Sequence, residues 1–147
     1  MKWSEYFINI AEQVKLKSKD ERTQIGAVIV GTDNEIVSTG YNSFPRGIND
    51  DIPERQERPE KYFWFEHAER NAIYNAARIG VSTLGTTMYM TCDISCADCA
   101  RAIISAGIKK VVFRSTSVSA NSAKWQESAQ RSNQMFIEAG IQIEYYD

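Results

Sequence analysis

Residues 86–113 read TTMYMTCDISCADCARAIISAGIKKVVF, and this stretch decides the architecture. Thr86 to Thr91 is a short run rich in strand formers, bounded by turn residues, which reads as a buried strand. Cys96 to Ala106 puts Ala100, Ile103 and Ile104 on one face and has Gly107 as a stop, which reads as a helix. Lys110-Val111-Val112-Phe113 is a second strand. Two strands joined through a helix need a crossover, so they lie parallel in one sheet.

The same alternation extends in both directions. Toward the C-terminus, residues 121–139 place Trp125, Ala129, Phe136 and Ala139 on one helical face, with Gly140 after it. Ile141, Ile143 and Tyr145 then alternate as a last strand does. Toward the N-terminus, His67 to Arg78 carries Ala68, Ala72, Ile73, Ala76 and Ala77 and stops near Gly80, again a helix. Ile25 to Val30 is an apolar strand, Gly31 and Asp33-Asn34 mark a hairpin turn, and Glu35 to Tyr41 returns. An opening helix shows Trp3, Tyr6, Phe7, Ile10, Ala11 and Val14 at spacings of three and four. Lys15, Lys17 and Lys19 close it with charges that favour a helix C-terminus.

Residues 44–65 break the pattern. They hold all three prolines of the chain and show no period. Their end, Tyr62-Phe63-Trp64-Phe65, is too aromatic for a solvated tail and predicts a docked loop. The order α-β-β-loop-α-β-α-β-α-β predicts an α/β fold in one domain over residues 1–147. It is a three-layer α-β-α sandwich around a mixed five-stranded sheet.

Composition excludes several classes. The chain has 147 residues, 43% hydrophobic and 24% charged, which suits a globular domain rather than a fibrous or disordered chain. No apolar run approaches the ~20 residues of a membrane span, so no membrane partner is expected. The polar opening Lys2-Trp3-Ser4-Glu5 predicts no signal peptide. With 17 Lys+Arg against 19 Asp+Glu, the net charge is −2, which argues against a polynucleotide partner. An odd count of three cysteines fits a reducing, cytoplasmic setting, where thiols serve as ligands or catalysts more often than as disulfide halves.

The chemistry concentrates in two short motifs. The chain has one histidine, in His67-Ala68-Glu69, and a Cys-x-x-Cys pair, Cys96-Ala97-Asp98-Cys99. One imidazole and two thiolates are a ligand set suited to Zn2+. Three protein ligands leave one tetrahedral position open, the arrangement of a catalytic rather than a structural zinc. Both motifs open predicted helices, where the macrodipole favours thiolates. Glu69, in the same first turn as His67, is placed to move a proton between water at the metal and a substrate. Cys-x-x-Cys alone equally describes a redox pair or half of a structural zinc site; the joint pattern favours the catalytic reading. Cys92, four positions before Cys96, reads as a strand or turn residue rather than a ligand. For an anionic group on a substrate, Lys17 to Thr23 offers several donors, with Arg22 and Thr23 the chosen candidates.

H-x-E followed by C-x-x-C is the signature of zinc-dependent nucleobase deaminases. The sequence resembles the cytidine deaminase superfamily and, within it, the dCMP deaminases. The resemblance runs through Thr23 to Val30, through Thr39-Gly40-Tyr41-Asn42-Ser43-Phe44-Pro45-Arg46-Gly47, through His67 to Ile73, and through Cys99 to Ile104. It covers residues 1 to 114, and the stretch from Gly40 to Gly47 favours the mononucleotide enzymes. Two departures stand out. Ser95 occupies the position where the family carries proline, and the segment from Thr91 to Cys96 is one residue longer. Proline there would stiffen the turn; Ser95 is expected to act instead as an N-cap.

The resemblance implies a cytidine deaminase-like fold and a zinc ion on His67, Cys96 and Cys99. It implies hydrolysis of dCMP to dUMP and ammonia, feeding dTMP synthesis, with Glu69 moving the protons. It implies that Ala68 and Ser95 meet the pyrimidine edge through their backbones, and that Asn42 contacts ribose and base; Arg22 and Thr23 would then meet the 5′-phosphate. It also implies a homohexamer activated by dCTP and inhibited by dTTP. Phe44, Arg46, Gly47, Asn49, Asp50 and Asp51 are the effector candidates, with Asp50 and Asp51 holding Mg2+ beside a triphosphate. Arg78 is a candidate at a subunit contact. The rivals are a deaminase of free cytidine or of tRNA adenosine, and a non-catalytic zinc module that would need a fourth protein ligand.

Overall fold

β1 (Gly26–Val30) is buried at every residue, so both of its faces are covered. In the computed structural model, which describes residues 1–114 and 123–147, it lies inside a five-stranded sheet. The other strands are β2 (Ile36–Tyr41), β3 (Thr87–Met90), β4 (Lys110–Arg114) and β5 (Gln142–Tyr146), in the order β2-β1-β3-β4-β5. β1 is antiparallel to β2 and to β3, with Val28 opposite Thr39 on one side and Tyr89 on the other. β3, β4 and β5 are parallel, as the helical crossovers require, with Met88 beside Val111 and Val111 beside Ile143.

Among the described residues four helices cover this sheet, α1 (Trp3–Lys15), α3 (Ala68–Ile79), α4 (Ala97–Ser105) and α5 (Ala123–Glu138), while the short α2 (Lys61–Trp64) lies in the segment before α3. The strand period of two sorts the core into halves. Ala27, Ile29, Met88, Met90, Val111 and Phe113 turn to one face, where they meet Ala68 and Ala72 of α3, Ala100 and Ile103 of α4, and Phe136 of α5. Val28, Val30, Tyr89 and Val112 turn to the other and meet Phe7, Ile8 and Ala11 of α1. The expected α-β-α sandwich with a mixed sheet is what forms. No described helix is long and apolar enough to cross a membrane.

One glycine sets the spacing on which the chemistry depends. A Cβ on Gly40 of β2 would stand 2.3 Å from Ala72 N and 2.5 Å from Ala68 O. Only glycine lets α3 lie this close to β2, and Ala68 is the first residue of that helix. At the other end, Gly80 takes φ 76°, ψ 30° and caps α3 in the left-handed conformation.

Three details differ from the periodicity. In α1 the buried stripe is Phe7, Ile8 and Ala11, whereas Trp3 is 57% and Tyr6 41% exposed. Trp3 instead lies stacked on Phe7, with ring centroids 5.6 Å apart, so one aromatic carries the burial and another covers it. Ala139, just before the edge strand β5, and Tyr145, within it, are exposed, although Tyr145 still packs on Phe113. Positions 121 and 122 of the expected last helix, and the side chain of Trp125, lie outside the described residues.

The segment 44–65 is docked as expected, but it carries structure of its own. Pro53–Gln56 forms a 3-10 turn and α2 follows it. Ser43 and Glu66 close the segment as an isolated bridge. Phe44 meets Phe65 edge-on at 4.5 Å, the Arg55 guanidinium lies 3.9 Å from the Trp64 ring, and Lys61 pairs with Asp20 at 2.6 Å. These contacts bind the segment at both ends, which its composition alone conceals.

Candidate metal centre

Two helix N-termini converge beside the sheet. His67 is the N-cap of α3 in extended conformation, φ −75°, ψ 152°, and its imidazole makes no capping bond, so the ring is free to turn out of the helix. Cys96 is the N-cap of α4, and its Sγ accepts the N–H of Cys99 at 3.4 Å. The expectation that Ser95 caps this helix is not met. The cap falls on Cys96 itself, and the fully buried Ser95 hydroxyl turns toward Met90 Sδ at 3.5 Å.

His67 Nδ1 stands 3.3 Å from Cys99 Sγ and 3.4 Å from Cys96 Sγ. The three ligand atoms lie within 4.8 Å of one another. A tetrahedral zinc with bonds of about 2.0–2.3 Å sets its ligands roughly 3.6 Å apart, so the cluster fits that ion. Among the described residues Cys92 does not join the cluster. Cys99 is fully buried, Cys96 nearly so, and Glu69 is only 4% exposed. Burial pushes the Cys92 thiol well up, with the Glu69 charge adding to it.

The electrostatics favour one thiolate before the other. A hydrogen bond from Cys99, overcoming the opposing effect of burial and helped by His67, pulls the Cys96 thiol down to about 4. Cys99 is pushed up by that same hydrogen bond with Cys96 and by its burial. His67 is raised through its hydrogen bond with Cys96. A divalent cation held by His67, Cys96 and Cys99 would supply the charge for both thiols to ionise beside a neutral imidazole. Arg70 adds a fixed positive charge nearby. Its Nε donates to Glu66 Oε1 at 2.6 Å, and its guanidinium lies 3.7 Å from Asp98. The sequence reading passed over Arg70; its place directly after Glu69 in the first turn of α3 was the available signal.

The other candidate residues fall into two groups. Asn42 is 8% exposed, and its amide is engaged on both sides. Oδ1 accepts from Ile25 N at 2.9 Å, while Nδ2 donates to Thr23 O at 2.7 Å and to Asp20 Oδ2 at 3.3 Å. The backbone N–H groups of Arg22 and Thr23 both donate to Asp20 Oδ1, leaving their exposed side chains free of that turn. Asp20 and Lys61 were not singled out from the sequence. An aspartate followed by N–H donors two and three residues on is a legible Asx-type turn, but nothing local announces Lys61.

Phe44, Arg46, Gly47, Asp50 and Arg78 line one cavity of about 650 Å³. Lys17 and Lys19 line it too, so four cationic side chains share its wall. Asn49 and Asp51 stand outside this lining. Arg46 donates to Asn75 Oδ1 at 2.8 Å, and Lys19 reaches Asp50 at 2.9 Å and Asp51 at 3.8 Å. The two aspartates expected to hold magnesium therefore share a lysine.

The chain is similar to known proteins. A family model described as the cytidine and deoxycytidylate deaminase zinc-binding region matches residues 1–115. The chain is 42% identical over 120 residues to deoxycytidylate deaminase of Mus musculus, a match covering 78% of this chain and 66% of the mouse protein. It is 39% identical over 142 residues to an uncharacterized deaminase of Aliivibrio fischeri, covering 97% of this chain and 92% of that one. The crystal structure of dCMP deaminase from cyanophage S-TIM5 in complex with dCMP and dUMP superposes with a TM-score of 0.76 at 26% identity, over 99% of both chains. The match to the mouse relative thus spans just under two thirds of that protein's length. Sheet order, the ligand cluster at two helix starts and these likenesses agree: the chain belongs to the cytidine and deoxycytidylate deaminase zinc-binding family.

Proposed function

We propose that the protein is a zinc-dependent dCMP deaminase, converting dCMP and water to dUMP and ammonia. The observation that carries this reading is the convergence of His67, Cys96 and Cys99 within 4.8 Å, beside a buried Glu69. The likeness to deoxycytidylate deaminases of animals and of a cyanophage supports dCMP as the substrate.

Zinc, when bound, supplies Lewis-acid activation of the attacking water near neutral pH. Glu69 accepts a proton from that water and delivers it to N3 of the pyrimidine while oxygen bonds to C4. It then carries the second proton to the amino group as the C4–N bond breaks, and ammonia leaves. The backbones at Ala68 and Ser95 meet the pyrimidine edge. Asn42 faces ribose and base with whatever capacity its internal bonds leave. The Arg22 side chain and the Thr23 hydroxyl serve the 5′-phosphate.

The cavity lined by Lys17, Lys19, Arg46 and Arg78 supports a second, regulatory role. Four cations around about 650 Å³ suit a triphosphate such as dCTP or dTTP. Magnesium at Asp50 would take the place of Lys19 as that carboxylate's partner. A homohexamer, with Arg78 near a subunit contact, completes this reading.

The test is turnover of dCMP, deoxycytidine and CMP by zinc-loaded protein, each with and without dCTP or dTTP. Turnover confined to dCMP supports the substrate assignment, and a response to triphosphate supports the regulatory cavity. Equal turnover of deoxycytidine overturns the role given to the phosphate. No turnover from folded, zinc-replete protein overturns the activity.

A further inference from the structure

The first N–H of α4 does not face solvent. Ala97 N donates to Ser128 Oγ of α5 at 2.8 Å. We infer that Ser128 is a positioning residue for the metal site, an assignment that rests on the zinc reading of His67, Cys96 and Cys99.

The argument starts from which bonds hold the turn at Cys96. Cys99 N goes to Cys96 Sγ at 3.4 Å, and Ala100 N goes to Cys96 O at 2.9 Å. Both bonds run within α4 and move with it. The Ala97 N–H belongs to the peptide unit that begins at the Cys96 carbonyl, and among the described backbone bonds of this turn its bond is the one that leaves the helix. Holding that peptide plane restrains ψ of Cys96 and so the direction of its Cα–Cβ bond, the base from which χ1 swings Sγ toward the other ligands. The residue on the other side holds the turn only through a weak hydroxyl–thioether bond. Ser95 lacks proline's fixed φ, and its hydroxyl is turned to the Met90 thioether. The turn is therefore anchored from α5, beyond the residues 1–115 that the family model matches.

The face of α5 that does this is built for close approach. Ser128, Ser132 and Phe136 recur at intervals of four, one above another on the helix. Ser132 is fully buried, and among the described residues its Oγ has no hydrogen-bond partner. It serves as packing, whereas Ser128 serves as an acceptor. That contrast provides an internal control.

The experiment follows zinc release to a chromogenic chelator from the parent protein and from Ser128→Ala, Ser128→Thr and Ser132→Ala. Cobalt(II) absorption spectra of the same four proteins report ligand geometry. Outer partners of metal ligands typically change affinity about 10- to 100-fold, so Ser128→Ala is expected to release zinc roughly tenfold faster and to shift the cobalt spectrum. Ser128→Thr, which keeps the hydroxyl, and Ser132→Ala are expected to behave as the parent does. Alanine is the better helix former, so Ser128→Ala keeps α5 intact. Release at the parental rate from Ser128→Ala overturns the inference, as does an equal acceleration in Ser132→Ala. A parent protein that holds no zinc overturns the metal reading, and this inference with it.

Discussion

Lys61 Nζ lies 2.6 Å from Asp20 Oδ2, and the two side chains are only 11% and 5% exposed. This pair ties the segment before α3 to the turn before β1. Burial alone would raise the Asp20 carboxyl; the hydrogen bond from Lys61 and those from the N–H groups of Arg22 and Thr23 overcome it, and the net shift is downward. A carboxylate held below its ordinary value stabilises the fold above that value and loses its contribution as pH falls through the folded one.

Acid should therefore release this latch. Asp20→Asn leaves Lys61 as a buried, unpaired charge, and breaking such a pair costs about 3 kcal/mol. Urea midpoints measured from pH 7 down to pH 3 should show the full deficit above about pH 5 and a shrinking one below it. A deficit that stays constant over the whole range would show that Asp20 does not titrate with folding.

Glu69→Gln separates metal binding from proton transfer. The carboxylate is no member of the ligand cluster, so the variant should hold zinc at the parental stoichiometry. Loss of a general acid–base lowers turnover by about 10²- to 10⁴-fold. Zinc content by elemental analysis, set beside dCMP turnover, checks both halves. Chelation of the parent protein should lower its melting temperature, because metal binding and folding are coupled. Cys99→Ala should start from that lowered temperature and show no further response to chelator.

Gly40→Ala probes the distance between β2 and α3. The added methyl would enter the backbone of α3 at 2.3 Å from Ala72 N, and backbone cannot turn aside as a side chain can. Overpacking of this kind costs about 1–3 kcal/mol or more. Because Ala68 O lies in the same contact, the start of α3 and its His67 should shift with it. Thermal unfolding and zinc affinity are expected to fall together. A stable variant with parental zinc affinity would show that the helix start is held by other contacts.

Much of this was legible in the sequence because it rests on local chemistry. Helices and strands follow periodicity, and the crossover rule makes β3, β4 and β5 parallel. His67 and Cys96 declare themselves as ligand types at helix starts. The rest depends on which distant residues meet. Of the expected stripe of α1, Phe7 and Ala11 are buried, but Ile8 joins them while Trp3 and Tyr6 stay exposed, because a helix rotates to suit its sheet. Ser95 is a residue type that caps helices, but its hydroxyl is turned to Met90 and the cap falls on Cys96. Lys61 sits in a stretch without period, so nothing near it names Asp20 as its partner. Asn42 belongs to a recognisable motif, and the motif does not reveal that its amide is already committed.

That commitment makes Asn42→Ala more than a loss of substrate contact. Removing the amide leaves Ile25 N–H and Thr23 O without their side-chain partner and takes a donor from Asp20. Leaving a buried group unpaired costs about 1–3 kcal/mol. The variant should unfold at lower urea and bind dCMP more weakly, and it should still retain zinc, since the side-chain bonds of Asn42 go to Ile25, Thr23 and Asp20 rather than to a ligand of the cluster. Asn42→Asp distinguishes the two effects: it keeps the acceptor for Ile25 N–H but sets a second carboxylate against Asp20. If the amide acts mainly through the fold, the aspartate variant should lose stability as the alanine one does, and more at pH 7 than at pH 4. If it acts only on substrate, both variants should unfold at the parental urea concentration while KM for dCMP rises.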